Sequence, residues 1–228
     1  MPRDVAAIVV AAGQARRFGG NTPKQFQLLH GVPVVLRAVQ PFIGHPDIGQ
    51  VVVVLPAENA AEPPDFLSDL SVSIIAGGAH RGDSVRSGLA ALKPEWAVVL
   101  VHDGARPFVD RDVIDGVISY ARRGEGAVAA VPLSDTLKEA SRHEPSRVLR
   151  TRPRARLWRA QTPQGFPRAI LQQAHDRAAR LGRRATDDAA LVEALGLTVR
   201  LVPDSIRNLK ITTAEDFALA ELLVSAGR

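Results

Sequence analysis

Residues 5–25, VAAIVVAAGQARRFGGNTPKQ, join a short apolar run to a basic loop that contains glycines. The run at 5–11 has the length and the Val and Ile content of a buried strand. A glycine-bearing loop directly after a strand lets backbone N–H groups approach phosphate oxygens, and Arg16, Arg17 and Lys24 add positive charge. The loop has neither the Gly-Lys-Ser/Thr of a Walker A motif nor the pattern G-x-G-x-x-G. This stretch therefore predicts a phosphate site at the end of the first strand.

Similar apolar runs recur along the first 132 residues, and segments with helical spacing separate them. The runs lie at 50–55, 72–76, 97–102 and 127–132, and the helical segments include Val85, Leu89, Leu92 and Val113, Val117, Ile118, Ala121. Strands that alternate with helices indicate βαβ units. We predict a Rossmann-like α/β fold, with a mostly parallel twisted sheet and helices on both of its faces. Ligands of such sheets bind beyond the carboxyl ends of the strands.

The alternation stops between residues 133 and 158, where no long apolar run occurs. Four arginines near the end of this segment occupy alternate positions, which would place them on one face of an extended strand; they are Arg150, Arg152, Arg154 and Arg156. Pro153 favours an edge strand. We predict that residues 1–228 form one domain and that residues 133–158 form a projecting β-arm. Its apolar side chains Leu137, Val148 and Leu149 would need a partner surface.

The rest of the chain returns to mixed α/β character. Apolar spacing predicts a helix over 170–181, and short strands are expected at 198–202 and 208–211. Thr212 and Glu215 have the spacing of a capping box for a last helix. Ser84 and Thr186 are candidate helix N-caps. His102 is expected to be a packed residue at the end of a strand.

Composition limits the possible function. The net charge is 29 − 24 = +5, and only four of the basic residues are lysines. An arginine-rich surface suits phosphorylated small ligands or nucleic acid, because the guanidinium group forms paired hydrogen bonds with phosphate. The chain contains no cysteine, which excludes disulfides and thiolate chemistry and fits a reducing cytoplasm. No apolar run approaches the ~20 residues of a membrane span, and Arg3 and Asp4 before a short apolar run predict no signal peptide.

Seven short motifs resemble those of a known family in order and spacing. They are AAG at 11–13, PKQ at 23–25, GDSV at 82–85, HDGARP at 102–107, LWRAQTPQ at 157–164, TDDA at 186–189 and NLKIT at 208–212. On these motifs nearly the whole chain resembles the nucleotidyltransferases that activate sugar phosphates. Within that family it is most similar to the 2-C-methyl-D-erythritol 4-phosphate cytidylyltransferases of non-mevalonate isoprenoid biosynthesis.

The resemblance implies transfer of a cytidylyl group from CTP to a polyol phosphate, with Mg²⁺ or another divalent cation as cofactor. The implied catalytic residues are Arg17, Lys24 and Asp103, and Asp103 is also the expected metal ligand, since Mg²⁺ usually takes one or two carboxylates plus phosphate oxygens. The implied CTP-binding residues are Ala12, Gly13, Gln14, Ala15, Arg16, Gly82 and Ser84. The implied residues for the acceptor phosphate are Arg106, Thr136, Arg154, Thr186 and Lys210. A homodimer is also implied, in which the arm that carries Thr136 and Arg154 reaches the second subunit.

Two alternative functions fit the same residues, and the chain departs from the family pattern at two positions. A ribitol 5-phosphate cytidylyltransferase would share the fold and most of the motifs. A basic nucleic-acid-binding module would use the arginines of the arm, but stacking aromatic residues make up only 4% of the chain. The family loop usually has a second glycine where this chain has Ala15, and it often has alanine where this chain has Gly104. By spacing alone, Lys210 would be a solvated residue; the resemblance instead predicts a phosphate ligand.

Overall fold

A computed structural model describes residues 3–13 and 23–227. The strands are β1 Val5–Val10, β2 Leu28–Leu29, β3 Val32–Pro33, β4 Ile48–Leu55, β5 Ser73–Ala76, β6 Val98–Asp103, β7 Gly126–Pro132, β8 Leu137–Ala140, β9 Val148–Arg152, β10 Trp158–Pro167 and β11 Val199–Pro203. The helices are α1 Val34–Ile43, α2 Ala57–Ala61, α3 Asp65–Ser68, α4 Arg81–Ala90, α5 Arg111–Arg122, α6 Arg168–Arg180, α7 Asp188–Glu193 and α8 Ala214–Ser225, and one 3₁₀ turn covers Lys24–Phe26. No helix in these ranges has both the length and the apolar character needed to cross a bilayer.

The main sheet has the strand order β11-β7-β10-β6-β1-β4-β5. Only β10 runs antiparallel to its two neighbours, and the other pairs are parallel. The prediction of a mostly parallel sheet is therefore confirmed. The chain leaves β1 for β4 on one side and later returns to β6 on the other side. The order reverses at β1, and such a switch point opens a crevice at the carboxyl ends of the strands.

The side chains of β1 alternate between two cores, one on each face of the sheet. Val5, Ala7 and Val9 pack with residues of α1 and α5, whereas Ala6 and Ile8 pack with residues of α4, α6 and α7. All five side chains are fully buried. Burial on both faces explains why the strand is continuously apolar, and each buried aliphatic side chain of Val or Ile size contributes roughly 1.5–3 kcal/mol. The predicted helices on both faces are confirmed.

The arm is a hairpin of β8 and β9, which forms a two-stranded sheet of its own and is exposed along all of β9. Glu139 on β8 accepts a hydrogen bond from Arg150 Nε at 2.8 Å and forms an ion pair with Arg152. The prediction that four arginines share one face is wrong for Arg154 and Arg156. The strand ends at Arg152, because Pro153 has no N–H to donate to a strand ladder.

The predicted strand at 208–211 is also wrong. One backbone bond runs from Ile211 N to Ala105 O at 2.9 Å. The next candidate for a ladder bond, the carbonyl of Asn208, instead accepts side-chain hydrogen bonds from Arg106 and Gln161 at 2.6 and 3.0 Å. Side chains thus occupy the backbone acceptor that a neighbouring strand would need.

Three helix starts differ from the predicted ones by one to four residues. α4 begins after His80 rather than Ser84, and α7 begins after Asp187 rather than Thr186. The amides of Asp188 and Ala189 donate to Gln164 Oε1 at 3.1 and 3.0 Å, a tertiary contact that determines where α7 begins. For α8, the capping box is Thr213 with Asp216 instead of the predicted Thr212 with Glu215.

Alanine substitution of two glycines in α4 separates the effect of tertiary packing on stability from the effect of helix propensity. A Cβ at Gly88 would lie 2.5 Å from Cγ2 of Ile8, whereas a Cβ at Gly82 would meet nothing within 4 Å. We expect Gly88→Ala to lower the free energy of unfolding by about 1–3 kcal/mol, because overpacking outweighs the gain in helix propensity of about 1 kcal/mol. The matched control Gly82→Ala should leave that free energy unchanged or raise it. Urea unfolding measures both variants, and equal effects would contradict this packing of α4 on β1.

Candidate active site

The largest cleft that involves predicted site residues has a volume of about 670 Å³. It lies at the carboxyl ends of β1 and β6 and beside the start of α4. Among its lining residues are six of the predicted ones: Ala12, Gly13, Lys24, Ser84, Asp103 and Lys210. The switch point of the sheet therefore brings together residues that are up to 198 positions apart in the sequence (210 − 12 = 198).

A smaller cavity of about 210 Å³ adjoins this cleft. Asp103, Lys210 and Arg81 line both cavities. Arg106 and Thr186, two predicted residues of the acceptor site, line only the smaller one. The structure thus provides two adjoining compartments with Asp103 at their boundary.

Other predicted residues lie elsewhere. Gly82 does not line the cleft but lines another cavity of about 500 Å³, which shares His80 and Arg81 with the cleft. Thr136 and Arg154 are exposed on the arm and do not line the cleft or the smaller cavity, and Arg154 donates to the carbonyl of Ser134. The predicted residues Gln14, Ala15, Arg16 and Arg17 lie outside the described ranges.

The Asp103 carboxylate is nearly buried and is surrounded by cations. Arg81 Nε lies 3.2 Å from its Oδ1, and Lys210 Nζ lies 2.8 Å from its Oδ2. Arg106 Nε lies 3.8 Å from the same Oδ2. Burial alone would raise the pKa of Asp103, but the charges of Arg81, Lys210 and Arg106 outweigh it and hold that pKa well below its ordinary value. Asp103 is therefore ionised, and three cations meet at one carboxylate.

Arg81 is a site residue that the sequence analysis missed. Its Nη1 donates to Asp188 Oδ2 at 2.7 Å, so that it bridges Asp103 and Asp188. Burial opposes its charge, but the two carboxylates raise the pKa of Arg81 above its ordinary value. Asp188 is 1% exposed and also lies 2.8 Å from Nε2 of His175. Sequence analysis had no signal for this residue, because the predicted N-cap at Ser84 places Arg81 before the helix and not in its first turn.

Lys24 is held beside the other lysine of the cleft. The 3₁₀ turn that starts at Lys24 follows Pro23, and Lys24 Nζ donates to the carbonyl of Ile211 at 2.8 Å. Ile211 is fully buried and follows Lys210 directly in the sequence. The contact therefore brings the ammonium group of Lys24, on one segment, close to the segment that carries Lys210. Both side chains line the same cleft.

Ser84 acts on the cleft through the loop before α4. Its hydroxyl accepts a hydrogen bond from Gly78 N and donates to His80 O, both at 3.2 Å. The side chain is 2% exposed, and Gly78 and Ala79 of the same loop line the cleft beside it. This arrangement holds backbone groups of the loop at the cleft wall, where they can contact the edge of a planar ligand. Sequence reasoning named Ser84 but not these two neighbours.

The donor set fits a metal ion that arrives with a polyphosphate. In the described ranges no three His, Asp or Glu side chains are placed to hold a metal ion together. Asp103 is the one carboxylate among the described residues that line the larger cleft. One carboxylate plus phosphate oxygens is a set that Mg²⁺ commonly takes. Lys210 must release Oδ2 before that oxygen can bind a metal.

These groups suit phosphoryl-group transfer. Cations and backbone amides at a helix or strand end stabilise phosphate oxygens and the negative charge that develops on them. Such chemistry depends on positioning and on charge neutralisation, so it requires no protein nucleophile. The two compartments that meet at Asp103 can place a donor and an acceptor side by side.

The ion pair of Arg81 with Asp188 is expected to contribute to stability. We predict that Asp188→Asn lowers the free energy of unfolding by about 2–4 kcal/mol, because it leaves Arg81 and His175 without their buried anion. The matched control is Asp83→Asn, whose exposed pair with Arg86 spans 3.8 Å and should contribute below about 1 kcal/mol. Urea unfolding of both variants measures the difference. If Asp188→Asn lowers the free energy of unfolding no more than Asp83→Asn does, the buried ion pair does not contribute to stability as predicted.

Comparisons with known proteins show the family to which the chain belongs. The family model for IspD, 2-C-methyl-D-erythritol 4-phosphate cytidylyltransferase, matches residues 5–226. The protein of that name from Syntrophus aciditrophicus is 41% identical, over 97% of this chain and 96% of its own length. The one from Streptomyces coelicolor is 41% identical, over 100% of this chain and 87% of its own. The crystal structure of 2-C-methyl-D-erythritol 4-phosphate cytidylyltransferase from Thermus thermophilus superposes with a TM-score of 0.80 at 37% identity, over 96% of this chain and 98% of that chain. The chain belongs to the IspD family of 2-C-methyl-D-erythritol 4-phosphate cytidylyltransferases.

Proposed function

We propose that this chain transfers the cytidylyl group of CTP to 2-C-methyl-D-erythritol 4-phosphate, forming 4-diphosphocytidyl-2-C-methyl-D-erythritol and pyrophosphate in non-mevalonate isoprenoid biosynthesis. The observation that carries this proposal is the junction of two cavities at Asp103, with Lys24 on the larger side and Arg106 on the smaller. A nucleoside triphosphate and a phosphorylated acceptor require two anion sites that share a boundary. Membership of the family supports the identity of both substrates.

The transfer needs one bond to form and one to break. An oxygen of the acceptor phosphate attacks the α-phosphorus of CTP in line, and the bond from that phosphorus to the bridging oxygen of pyrophosphate breaks. Arg17 and Lys24 neutralise the charge that develops on the α-phosphate and on the leaving group. Arg106, Thr186 and Lys210 hold the acceptor phosphate, and holding both reactants in place lowers the barrier by supplying orientation in advance.

The nucleotide occupies the larger cleft in this proposal. Backbone groups of Ala12 and Gly13 lie where β1 ends and face the triphosphate. The loop residues Gln14, Ala15 and Arg16 are proposed to continue that contact. Ser84, through the backbone of the loop that it holds, borders the cytosine base. Gly82 is no direct CTP contact in this proposal, since it lines a different cavity.

The proposed cofactor is Mg²⁺ or another divalent cation. Asp103 would hold it together with phosphate oxygens of CTP, and the bound ion supplies additional positive charge to the phosphates. Lys210, which pairs with Asp103 Oδ2 at 2.8 Å, is placed to exchange that carboxylate for the acceptor phosphate.

The proposed assembly is a cytoplasmic homodimer with shared sites. Val148 and Leu149 on the arm are 54% and 53% exposed, and Leu157 and Trp158 at its base are 40% and 37% exposed. Several exposed apolar side chains on one projecting arm favour an interface. Because Thr136 and Arg154 lie on the arm and not in this chain's own cavities, they are proposed to serve the acceptor site of the partner. Two-fold symmetry makes that exchange reciprocal.

The substrates can be tested by pyrophosphate release. We expect turnover with CTP to exceed turnover with UTP, ATP or GTP, because fixed backbone groups at the cleft wall contact the base. With CTP, 2-C-methyl-D-erythritol 4-phosphate should be the best acceptor in a panel of polyol phosphates. A preference for ribitol 5-phosphate would replace the acceptor assigned here, and equal use of UTP would reject the role of Ser84 and its loop.

The role of Lys24 is tested by substitution. Lys24→Ala should lower kcat by roughly 10²–10³-fold, or about 3–4 kcal/mol, if the ammonium group acts on the transition state. Lys93→Ala is the matched control, because Lys93 is exposed and lines neither cavity. Steady-state kinetics distinguish the alternatives, since a rise in KM alone would mean that Lys24 only binds CTP in the ground state.

Shared sites are tested by mixing inactive variants. Equal amounts of Lys24→Ala and Arg154→Ala chains should regain about a quarter of wild-type activity after subunit exchange, since half of the dimers are mixed and each has one intact site. Lys24→Ala mixed with Lys210→Ala is the control and should stay inactive, because both lysines line the cleft of one chain. An active monomer in sedimentation, or no gain in the first mixture, would contradict the shared site.

A further inference from the structure

β10 departs from regular pairing beside the end of β6. It pairs with β7 up to Ala160 and again from Gln164, with a shift of register between them. Its pairing with β6 covers Gln164 to Pro167. The residues at 161–163 therefore lie next to the end of β6 as an irregularity of the strand. Bulges of this kind turn side chains in directions that a regular strand does not allow.

In this irregular segment the side chain of Thr162 accepts a hydrogen bond from a backbone amide. In a regular sheet that amide would donate to a backbone carbonyl. The amide of Asp103 donates to Thr162 Oγ1 at 3.0 Å, and Thr162 is 4% exposed. The carbonyl of Thr162 itself accepts from Asn208 Nδ2 at 2.8 Å, which holds the segment in place. The side-chain oxygen of Thr162 thus fixes the backbone at Asp103.

His102 continues this chain of hydrogen bonds. Its Nδ1 lies 3.0 Å from Thr162 Oγ1, and its Nε2 lies 3.0 Å from the carbonyl oxygen of Arg106. A carbonyl only accepts, so Nε2 carries a proton. A neutral imidazole ring that is protonated at Nε2 has its acceptor at Nδ1. Nδ1 must then accept the one proton of the Thr162 hydroxyl. The hydrogen bonds run in one direction from Asp103 to Arg106.

Side-chain hydrogen bonds therefore hold both ends of the turn at residues 103–106. One end, at Asp103, is held through Thr162, and the other end, at Arg106, is held through the His102 ring. Phe42 packs against that ring at a centroid distance of 4.9 Å and fixes its plane. The two side chains that this turn presents are Asp103, at the boundary of the cavities, and Arg106, in the smaller one.

We infer that His102 and Thr162 are positioning residues for cytidylyl transfer, which hold in place the proposed metal ligand Asp103 and the proposed ligand of the acceptor phosphate, Arg106. The inference rests on the proposed function for its kinetic part. Thr162 is also one of the residues that line the smaller cavity, but its hydroxyl proton and both nitrogens of the His102 ring are engaged in the hydrogen bonds described above. Both residues act through the two charged residues of the turn, and not by contact with the reacting atoms.

Substitution of Thr162 tests the inference. Thr162→Val keeps the shape but removes the hydroxyl, and kcat/KM for the acceptor should fall by about 10–100-fold, because small displacements of positioning groups are costly. Thr162→Ser is the matched control, which keeps both hydrogen bonds and should retain most activity. Wild-type kinetics in the valine variant, or an equal loss in both variants, would overturn the inference.

A second measurement does not depend on activity. Long-range ¹H–¹⁵N correlation spectra of the histidine rings, with His102 assigned by its loss in His102→Gln, should show a neutral ring protonated at Nε2. The Nδ1 resonance should move in Thr162→Val and stay in Thr162→Ser. Protonation at Nδ1, or a resonance that Thr162→Val does not move, would overturn the hydrogen-bond chain.

A third variant covers a folding failure of Thr162→Val. His102→Gln keeps a donor within reach of the Arg106 carbonyl but removes the acceptor for Thr162, and it should show the same loss in kcat/KM for the acceptor. Full activity in this variant would overturn the inference. If the wild-type protein itself does not use the acceptor, the proposed function fails while the ring spectrum still decides the hydrogen-bond chain.

Discussion

The carboxylate of Asp103 is the group on which the organisation of the site depends. It lies nearly buried at the end of a central strand, and its charge is maintained by Arg81, Lys210 and Arg106. Removing it would leave three cations facing one another at low dielectric. With it, segments from α4, from the turn after β6 and from the region before α8 converge on one point. The same cations can turn to phosphate oxygens, because both partners offer the same type of acceptor.

The sheet brings this carboxylate to a usable position. Strand β1 is buried on both faces, and the strand order reverses beside it, so that the ends of β1 and β6 open into one crevice. Charged and polar residues follow these apolar strands directly in the sequence. Placing them at the strand ends allows the core to remain apolar while the site carries concentrated charge. Stability comes from the two cores, and chemistry comes from the loops that they hold.

The residues that complete the site come from distant segments that are linked by side-chain hydrogen bonds. The carbonyl of Asn208 accepts from Arg106 and Gln161, and Gln164 caps the start of α7. Because of these contacts the structure has neither the strand at 208–211 nor the helix cap at Thr186 that local sequence patterns predicted. Local patterns record the preferences of neighbouring residues. A buried amide or carbonyl is satisfied by whatever donor or acceptor the fold brings to it.

The sequence by itself determined the class of fold, the strands of the main sheet from β1 to β7, the position of the arm and six of the residues that line the larger cleft, because apolar periodicity and short motifs are local properties. Through the resemblance of its motifs it predicted phosphate contacts for Lys24 and Lys210 and a place beside the base for Ser84. Only the tertiary structure decided that Arg81 joins Asp103 to Asp188, that Gly82 faces another cavity, and that the arginine stripe ends at Arg152. The reason is physical: a buried charge is stable only beside its partner, and Arg81 and Asp188, which are 107 residues apart in the sequence, meet only when the sheet is assembled.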